Sequence, residues 1–338
     1  DDNNFYIKGN SVYIQANQGE PSAYFSYNGA VKLYYDGGTH TTPKLQTSGI
    51  GVTVTGTIDL DAISTTISGN ANGLFVYDTR KDSDGGAWRK RTSHTSWYNE
   101  GASATRGARK EFPAVAVIVA EGSAITIYDG DDPEMPLWMK FISGSGQMKI
   151  FNRPQYWTNS SVSALNGIIC ATNSGGAAES TLVLNYVSDS VRLYPISGYP
   201  SYGGDYSLGI SGRSNSSGTF KPISQLLIGD QAFDGAMTVL PNAPIDSASG
   251  LPKPTIAVAT GHGVSIISHN DKIFNYTRSG GNEIIGSVAF DKNNDLIVAW
   301  GTAGTGWRHI SRFPEPFDSD SSFDTNQGYL ATDLGLGA

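Results

Sequence analysis

The chain has 338 residues, 41 of them glycine and 17 tyrosine, only 16% charged, with a formal net charge of −8. Low charge with high Gly, Ser and Thr argues for an all-β chain rich in turns and against a helical enzyme, and the acidic balance argues against nucleic acid as a partner. No apolar run approaches the roughly 18 residues that a membrane-spanning helix needs, so no membrane span is expected.

The chain opens on DDNNFYIKG without an initiator methionine, as expected of a processed or trimmed product. Short apolar runs then alternate with turn residues: Phe5, Tyr6 and Ile7, then Val12, Tyr13 and Ile14, then Ala23, Tyr24 and Phe25, with Gly9-Asn10, Gln18-Gly19 and Asn28-Gly29 between them. A spacing of about eight to twelve residues predicts short strands. Residues 31–56 continue the pattern through an Asp36-Gly37-Gly38 turn, a short strand at Leu45, a second turn at 48–51 and a Thr/Val alternation at 52–55. Val31, Leu33, Leu45, Ile50, Val52, Val54 and Ile58 form one thin apolar stripe, best buried against copies of itself. Residues 57–72 change in composition and mark a domain boundary. Asp59 and Asp61 there are too few ligands for a Ca²⁺ loop and suit a turn or cap better.

Beyond the boundary, residues 74–77 predict a strand and 80–86 a polar Asp-Ser-Asp-Gly-Gly loop. Asp84, Gly86 and Trp88 echo the Asp-box hairpin of sialidase-like propellers, one residue out of step, and that motif's role is structural. PAVAVIVA at 113–120 predicts a strand buried on both faces, paired across a turn at 121–123 with a strand at 124–128. The same pairing recurs at 167–172 with 181–186, at 255–259 with 264–267, and at 287–290 with 296–300. This is a degenerate repeat of the kind that builds propeller blades. Residues 196–220, rich in Gly, Ser and Tyr, predict an exposed excursion, and 240–254, with four prolines, a rigid surface connection. After Arg312 the chain is acidic, as expected of an arm docked on a neighbour or the start of a further domain. Cys170, in an apolar run, is expected to be a small core residue.

Two stretches of this sequence resemble known modules. "LYYDG…PKLQTSGIGVTVTG" is similar to a short module repeated in tail-fibre and other appendage proteins of marine tailed bacteriophages, where it sits in a β-rich, usually trimeric shaft. "GLFVYDTRKDSDGGAWRKRTSHTSWYNE", "EFPAVAVIVAEGSAITIYDGDDPEMPLWM" and "AMTVLPNAPIDSASGLPKPTIAVAT" resemble a propeller-type module of virion structural proteins of the same phages. The resemblance implies an intertwined β-shaft at 1–65, a β-propeller-like domain at 66–312 and an extended acidic tail or further domain at 313–338. It implies a homotrimeric virion protein of tail-fibre or spike type, in contact with other virion proteins and attaching to a host surface without catalysis. Two other readings stay open: a glycan-depolymerising tail-spike enzyme, and a capsid decoration or connector fibre that binds no ligand.

The candidate sites follow from charge. Arg80, Lys81, Arg89, Lys90, Arg91, Arg106, Arg109 and Lys110 crowd one stretch of an acidic chain, interleaved with Trp88, Trp97 and Tyr98. Arg89, Arg91, Trp88, Trp97 and Tyr98 fit a platform for acidic surface glycans, with rings stacking on sugars and guanidinium groups pairing with their anions. The same residues also fit salt links and edge protection within an assembly, the reading that carries more weight. Asp129, Asp131 and Asp132 lie on one turn. Carboxylates so close rarely face each other across a sugar, and a structural Ca²⁺ there is the one cofactor the sequence would accommodate. For a depolymerase, Asp78 joins them as a candidate. His40, His94, His262, His269 and His309 have no zinc-ligand spacing.

Overall fold

The computed structural model describes residues 11–15, 21–26, 31–33, 45–48, 51–54, 71–142, 158–175, 180–196, 203–215, 217–277, 283–302, 306–315, 317–322 and 329–332. The expectations placed on Phe5, Tyr6 and Ile7, on the turn at 36–38, on His40 and on residues 57–70 lie outside this set. Among the described residues there is no α-helix, so the chain is all-β, and no helix is long and apolar enough to cross a membrane. The chain divides into two compact units, Asp1–Asp61 and Ala62–Ala338.

The first unit is one antiparallel sheet of consecutive strands, β1 (Ser11–Gln15), β2 (Pro21–Ser26), β3 (Val31–Leu33), β4 (Leu45–Ser48) and β5 (Gly51–Val54). The register sets Ile14 opposite Ala23, Ala23 opposite Leu33, and Phe25 opposite both Val12 and Val31. Directly opposed residues share a face of a sheet, so these six apolar residues lie on one side. Tyr24 and Lys32 are paired on the other.

The second unit contains four sheets in propeller-like sequence. The first has β6 (Ala71–Asp78), β7 (Val115–Glu121), β8 (Ala124–Asp129) and β9 (Leu137–Ile142). The second has β10 (Asn159–Leu165), β11 (Ile168–Asn173), β12 (Ser180–Asn185), β13 (Ser190–Pro195), β14 (Gly204–Tyr206) and β15 (Phe220–Lys221). The third starts with β16 (Ala232–Thr238), β17 (Thr255–Thr260), β18 (Gly263–Ile267) and β19 (Ile273–Thr277), the fourth with β20 (Glu283–Phe290), β21 (Leu296–Thr302) and β22 (Gly306–Phe313). The chain then turns back: β23 (Ser321–Ser322) pairs in parallel with β19, and β24 (Tyr329–Thr332) pairs with β22. Phe313 and Phe317 are buried in the core. Part of the acidic segment after Arg312, expected to dock on a neighbour or to begin a further domain, is therefore built into the third and fourth sheets.

Consecutive sheets bury both faces against each other, which explains the unbroken apolar runs. On β17, Ile256 and Val258 pack toward the second sheet with Cys170 and Tyr194, while Ala257 and Ala259 pack toward the fourth with Val288 and Val298. On β11, Ile169 and Ala171 belong to the core shared with Ile118 and Ile127 of the first sheet. The four expected hairpins are present: β7–β8, β11–β12, β17–β18 and β20–β21. In the first three sheets, however, a further strand lies inside the hairpin. The innermost strands β6, β10, β16 and β20 pack each beside the next.

Each innermost strand carries a β-bulge near its start: after Ala71 in β6, Asn159 in β10, Ala232 in β16 and Ile285 in β20. A bulge bends its strand and re-aims the residue that follows. Those residues are Gly73, Ser161, Asp234 and Ser287, and they join the strands. A Cβ on Gly73 would lie 3.3 Å from Ser161 Cα, so glycine lets β6 approach β10, and Asn72 Nδ2 donates to Asn159 O at 2.8 Å. Ser161 Oγ donates to Asp234 Oδ1 at 2.7 Å and Ser287 Oγ to Asp234 Oδ2 at 2.7 Å. The Val288 and Gly235 amides add bonds of 3.1 and 2.9 Å. One carboxylate thus ties three innermost strands together.

Residues 196–220, expected as an exposed excursion, are partly core. Tyr206, Ile210 and Arg213 are buried, and Arg213 forks onto Glu100 with two bonds of 2.7 Å.

Candidate functional site

The long connection between β6 and β7 holds the basic and aromatic residues singled out in the sequence. Its aromatic rings pack inward. Trp88 and Trp97 are fully buried, Trp88 5.3 Å from Phe112 and Trp97 5.5 Å from Trp138 and 5.4 Å from Tyr186. Tyr98 packs against this cluster edge-on to Trp97. Both indole N–H groups are satisfied inside, Trp88 by Asp82 Oδ2 at 2.7 Å and Trp97 by Tyr186 O at 2.9 Å. Two faces of a stacking platform are therefore spent on the core, and neither ring can meet a sugar. The guanidinium groups are engaged as well: Arg89 with Glu111 at 3.1 Å and with Phe112 O, Arg91 with Asp84 at 2.9 Å and with Ser249 O.

Asp82, which carried no signal in the sequence, is the polar centre of this packing. It accepts from Tyr77 Oη, Trp88 Nε1 and the Asn166 amide. Burial raises its pKa, against the pull of these hydrogen bonds. Asn166 and Gly167, both with positive φ, form the tight β10–β11 turn. The Gly167 amide donates to Tyr77 Oη at 2.7 Å. The Asp-box-like residues thus do structural work, with Asp82 rather than Asp84 beneath the tryptophan.

The turn after β8 does not gather ligands for a cation. Asp129 takes Arg109 Nη1 at 2.7 and 2.8 Å, Asp131 takes the same nitrogen at 2.8 Å together with the Ala114 and Val115 amides, and Asp132 caps the Glu134 amide. Among the described residues no group of three or more His, Cys, Asp or Glu side chains converges in metal-binding geometry. The Ca²⁺ ligands suggested at Asp129, Asp131 and Asp132 are occupied by an arginine and by backbone donors.

The structure instead opens a cleft of about 390 Å³ between the second and third sheets, roofed in part by the proline-rich connection at 246–254. Its apolar floor includes Ile168, Val183, Ile256 and Ile267. Its centre is Arg192 on β13. Arg192 Nε donates to Asp205 Oδ1 of β14 at 2.5 Å, and Nη1 lies 3.1 Å from Asp271 Oδ1 of the β18–β19 turn and 3.4 Å from Tyr194 Oη. Burial works against the Arg192 charge, but Asp205, Tyr194 and Asp271 outweigh it and hold the guanidinium above its ordinary pKa. Burial also pushes the Tyr194 phenol up to about 12, so it stays neutral. Asp271 adopts φ +62°, a conformation that Asp tolerates better than most residues. Lys253, Asp246 and His269 complete the charged and titratable lining, and the buried His269 Nδ1 has no hydrogen-bond partner.

No protein-family model and no curated protein matches the chain. Among solved structures it is similar to a gluconolactonase from Xanthomonas campestris, at 12% identity and a TM-score of 0.23, over 55% of this chain and 66% of that one. So low a score carries no argument about activity, and the propeller-like fold rests on the strand order itself.

The cleft was not visible in the sequence because its parts are distant in the chain and locally unremarkable. Arg192 alternates with Val191 and Leu193 like any outward residue of a half-buried strand, and Asp205 and Asp271 read as ordinary turn residues. Cys170 is buried and free, its thiol pushed up to about 12 by burial, as expected of a core residue.

Proposed function

We propose that this protein is a non-catalytic structural component of a tailed-phage virion, of tail-fibre or spike type. In this reading the first unit associates with copies of itself as a homotrimer, and the propeller-like unit is displayed for attachment to a host-surface glycan. The observation that carries the reading is the one-sided sheet of the first unit. Ile14, Phe25 and Leu33 share a face and are 49%, 40% and 42% exposed. Large apolar side chains grouped on one face mark an interaction surface, and three copies facing inward would cover it. The similarity of residues 20–60 to phage shaft modules supports the same arrangement. Trimeric display would also raise avidity for a weak surface ligand.

The carboxylates that the sequence offered for a depolymerase are each engaged by the fold itself. A depolymerase needs two carboxyl groups facing across a sugar, about 5–9.5 Å apart. Asp78 is held by Arg80, Asp129 and Asp131 share Arg109, and Asp132 caps its own turn. The test is the mass of the whole chain by light scattering at neutral pH. Three chains of 35.9 kDa are expected. A stable monomer or dimer would overturn the shaft assignment.

A further inference from the structure

We propose that the cleft between the second and third sheets is a binding site for a neutral saccharide, gripped through neighbouring hydroxyl groups by the Asp205–Arg192–Asp271 array. The proposal rests on the reading of the protein as a binding module, and not on its oligomeric state or phage origin.

The array is fixed before any ligand arrives. Arg192 commits Nε to Asp205 and Nη1 to Asp271 and Tyr194. Its Nη2 has no partner among the described residues, which leaves two N–H donors free. Each flanking carboxylate spends one oxygen on the arginine and keeps the other, with side chains 48% and 53% exposed. Free donors therefore sit between free acceptors.

A hydroxyl group donates and accepts at once, so a pair of adjacent sugar hydroxyls satisfies both kinds of site. An ion does not. An anion attracted to Arg192 would meet Asp205 and Asp271, and a cation attracted to them would meet Arg192. Across the whole lining, Asp205, Asp246 and Asp271 stand against Arg192 and Lys253, so neither sign dominates. The aliphatic floor suits the C–H face of a sugar ring. The volume of about 390 Å³ lies at the small end of ligand sites, room for about one or two rings.

The test uses the whole chain and saturation-transfer NMR. The neutral probes are galactose, mannose, N-acetylglucosamine and lactose, and the charged ones inorganic phosphate, glucuronate and spermidine. At least one neutral sugar is expected to bind, and Arg192→Gln and Ser190→Tyr should each weaken it at least about tenfold. Ser190 lies in the lining at an exposed strand start, so a tyrosine there fills the cleft without disturbing the core. That variant decides the question even if Arg192→Gln unfolds. The proposal is overturned if no neutral sugar binds, if binding survives Ser190→Tyr unchanged, or if a charged probe is preferred. A monomeric chain that still bound the sugar through this cleft would overturn the shaft assignment and leave the present inference standing.

Discussion

Removing the Asp234 carboxylate tests how the innermost strands are held. In Asp234→Ala, Ser161 Oγ, Ser287 Oγ and the Gly235 and Val288 amides all lose their acceptor. Hydrogen bonds to a charged group contribute about 1.5–3 kcal/mol each, and a buried donor left unpaired costs about 1–3 kcal/mol. The four bonds do not add, because they share one partly exposed acceptor and water can replace it for the serines. The Val288 amide is the least replaceable, since Val288 is only 5% exposed. A loss of about 2–4 kcal/mol follows, equivalent to roughly 4–8 °C in melting temperature for a unit of this size. Near-ultraviolet circular dichroism during thermal unfolding reads it directly. A double-mutant cycle of Asp234→Ala with Ser287→Ala should show coupling above about 0.5 kcal/mol. If Asp234→Ala melts within about 0.5 kcal/mol of the parent, as an ordinary surface substitution does, the carboxylate does not hold the strands and the reasoning fails.

Two further outcomes follow from the same packing. Trp97→Ala should destabilise the protein by about 3–5 kcal/mol, because the ring is fully buried and its N–H bonds Tyr186 O; a variant as stable as the parent in urea would place the ring outside the core. Burial tends to raise the Asp131 pKa, but the Ala114 and Val115 amides and Arg109 outweigh it and hold the group below the usual carboxylate range. Its stabilising effect is then complete above the unfolded value of about 3.9 and is lost as pH falls through the lower folded value. Asp131→Asn should be less stable than the parent at neutral pH and converge on it in acid, and a gap that stayed constant from neutral pH down to acid would contradict this.

The sequence made the hairpins and β6 visible and hid the strands inside the second and third of them, β10 and β16. PAVAVIVA and TIAVAT are buried on both faces and so are apolar at every position. NSSVSAL of β10 and AFDGAMT of β16 also lie within the unit, but one side of each meets polar partners from neighbouring strands. Ser161 and Asp234 there look like loop residues until the bulges are seen. The basic and aromatic stretch misled for a related reason. Composition cannot show whether a tryptophan faces solvent, and Trp88 and Trp97 turn inward because Asp82 and Tyr186 O satisfy their N–H groups in the core. Arg213 looked like part of an exposed loop, and is buried because Glu100, distant in sequence, meets it. The cleft depends wholly on such distant meetings.

The return of the chain after β22 also sets an order of assembly. Edge strand β19 stays open until β23 arrives from beyond β22, where Asp320 accepts from the Asn275 amide and residues 321–322 extend the ladder. On a ribosome, the third sheet would emerge early and wait with one edge bare. During that interval the exposed edge of β19 offers a template to other chains, and residues 321–322, made only after β22, remove it.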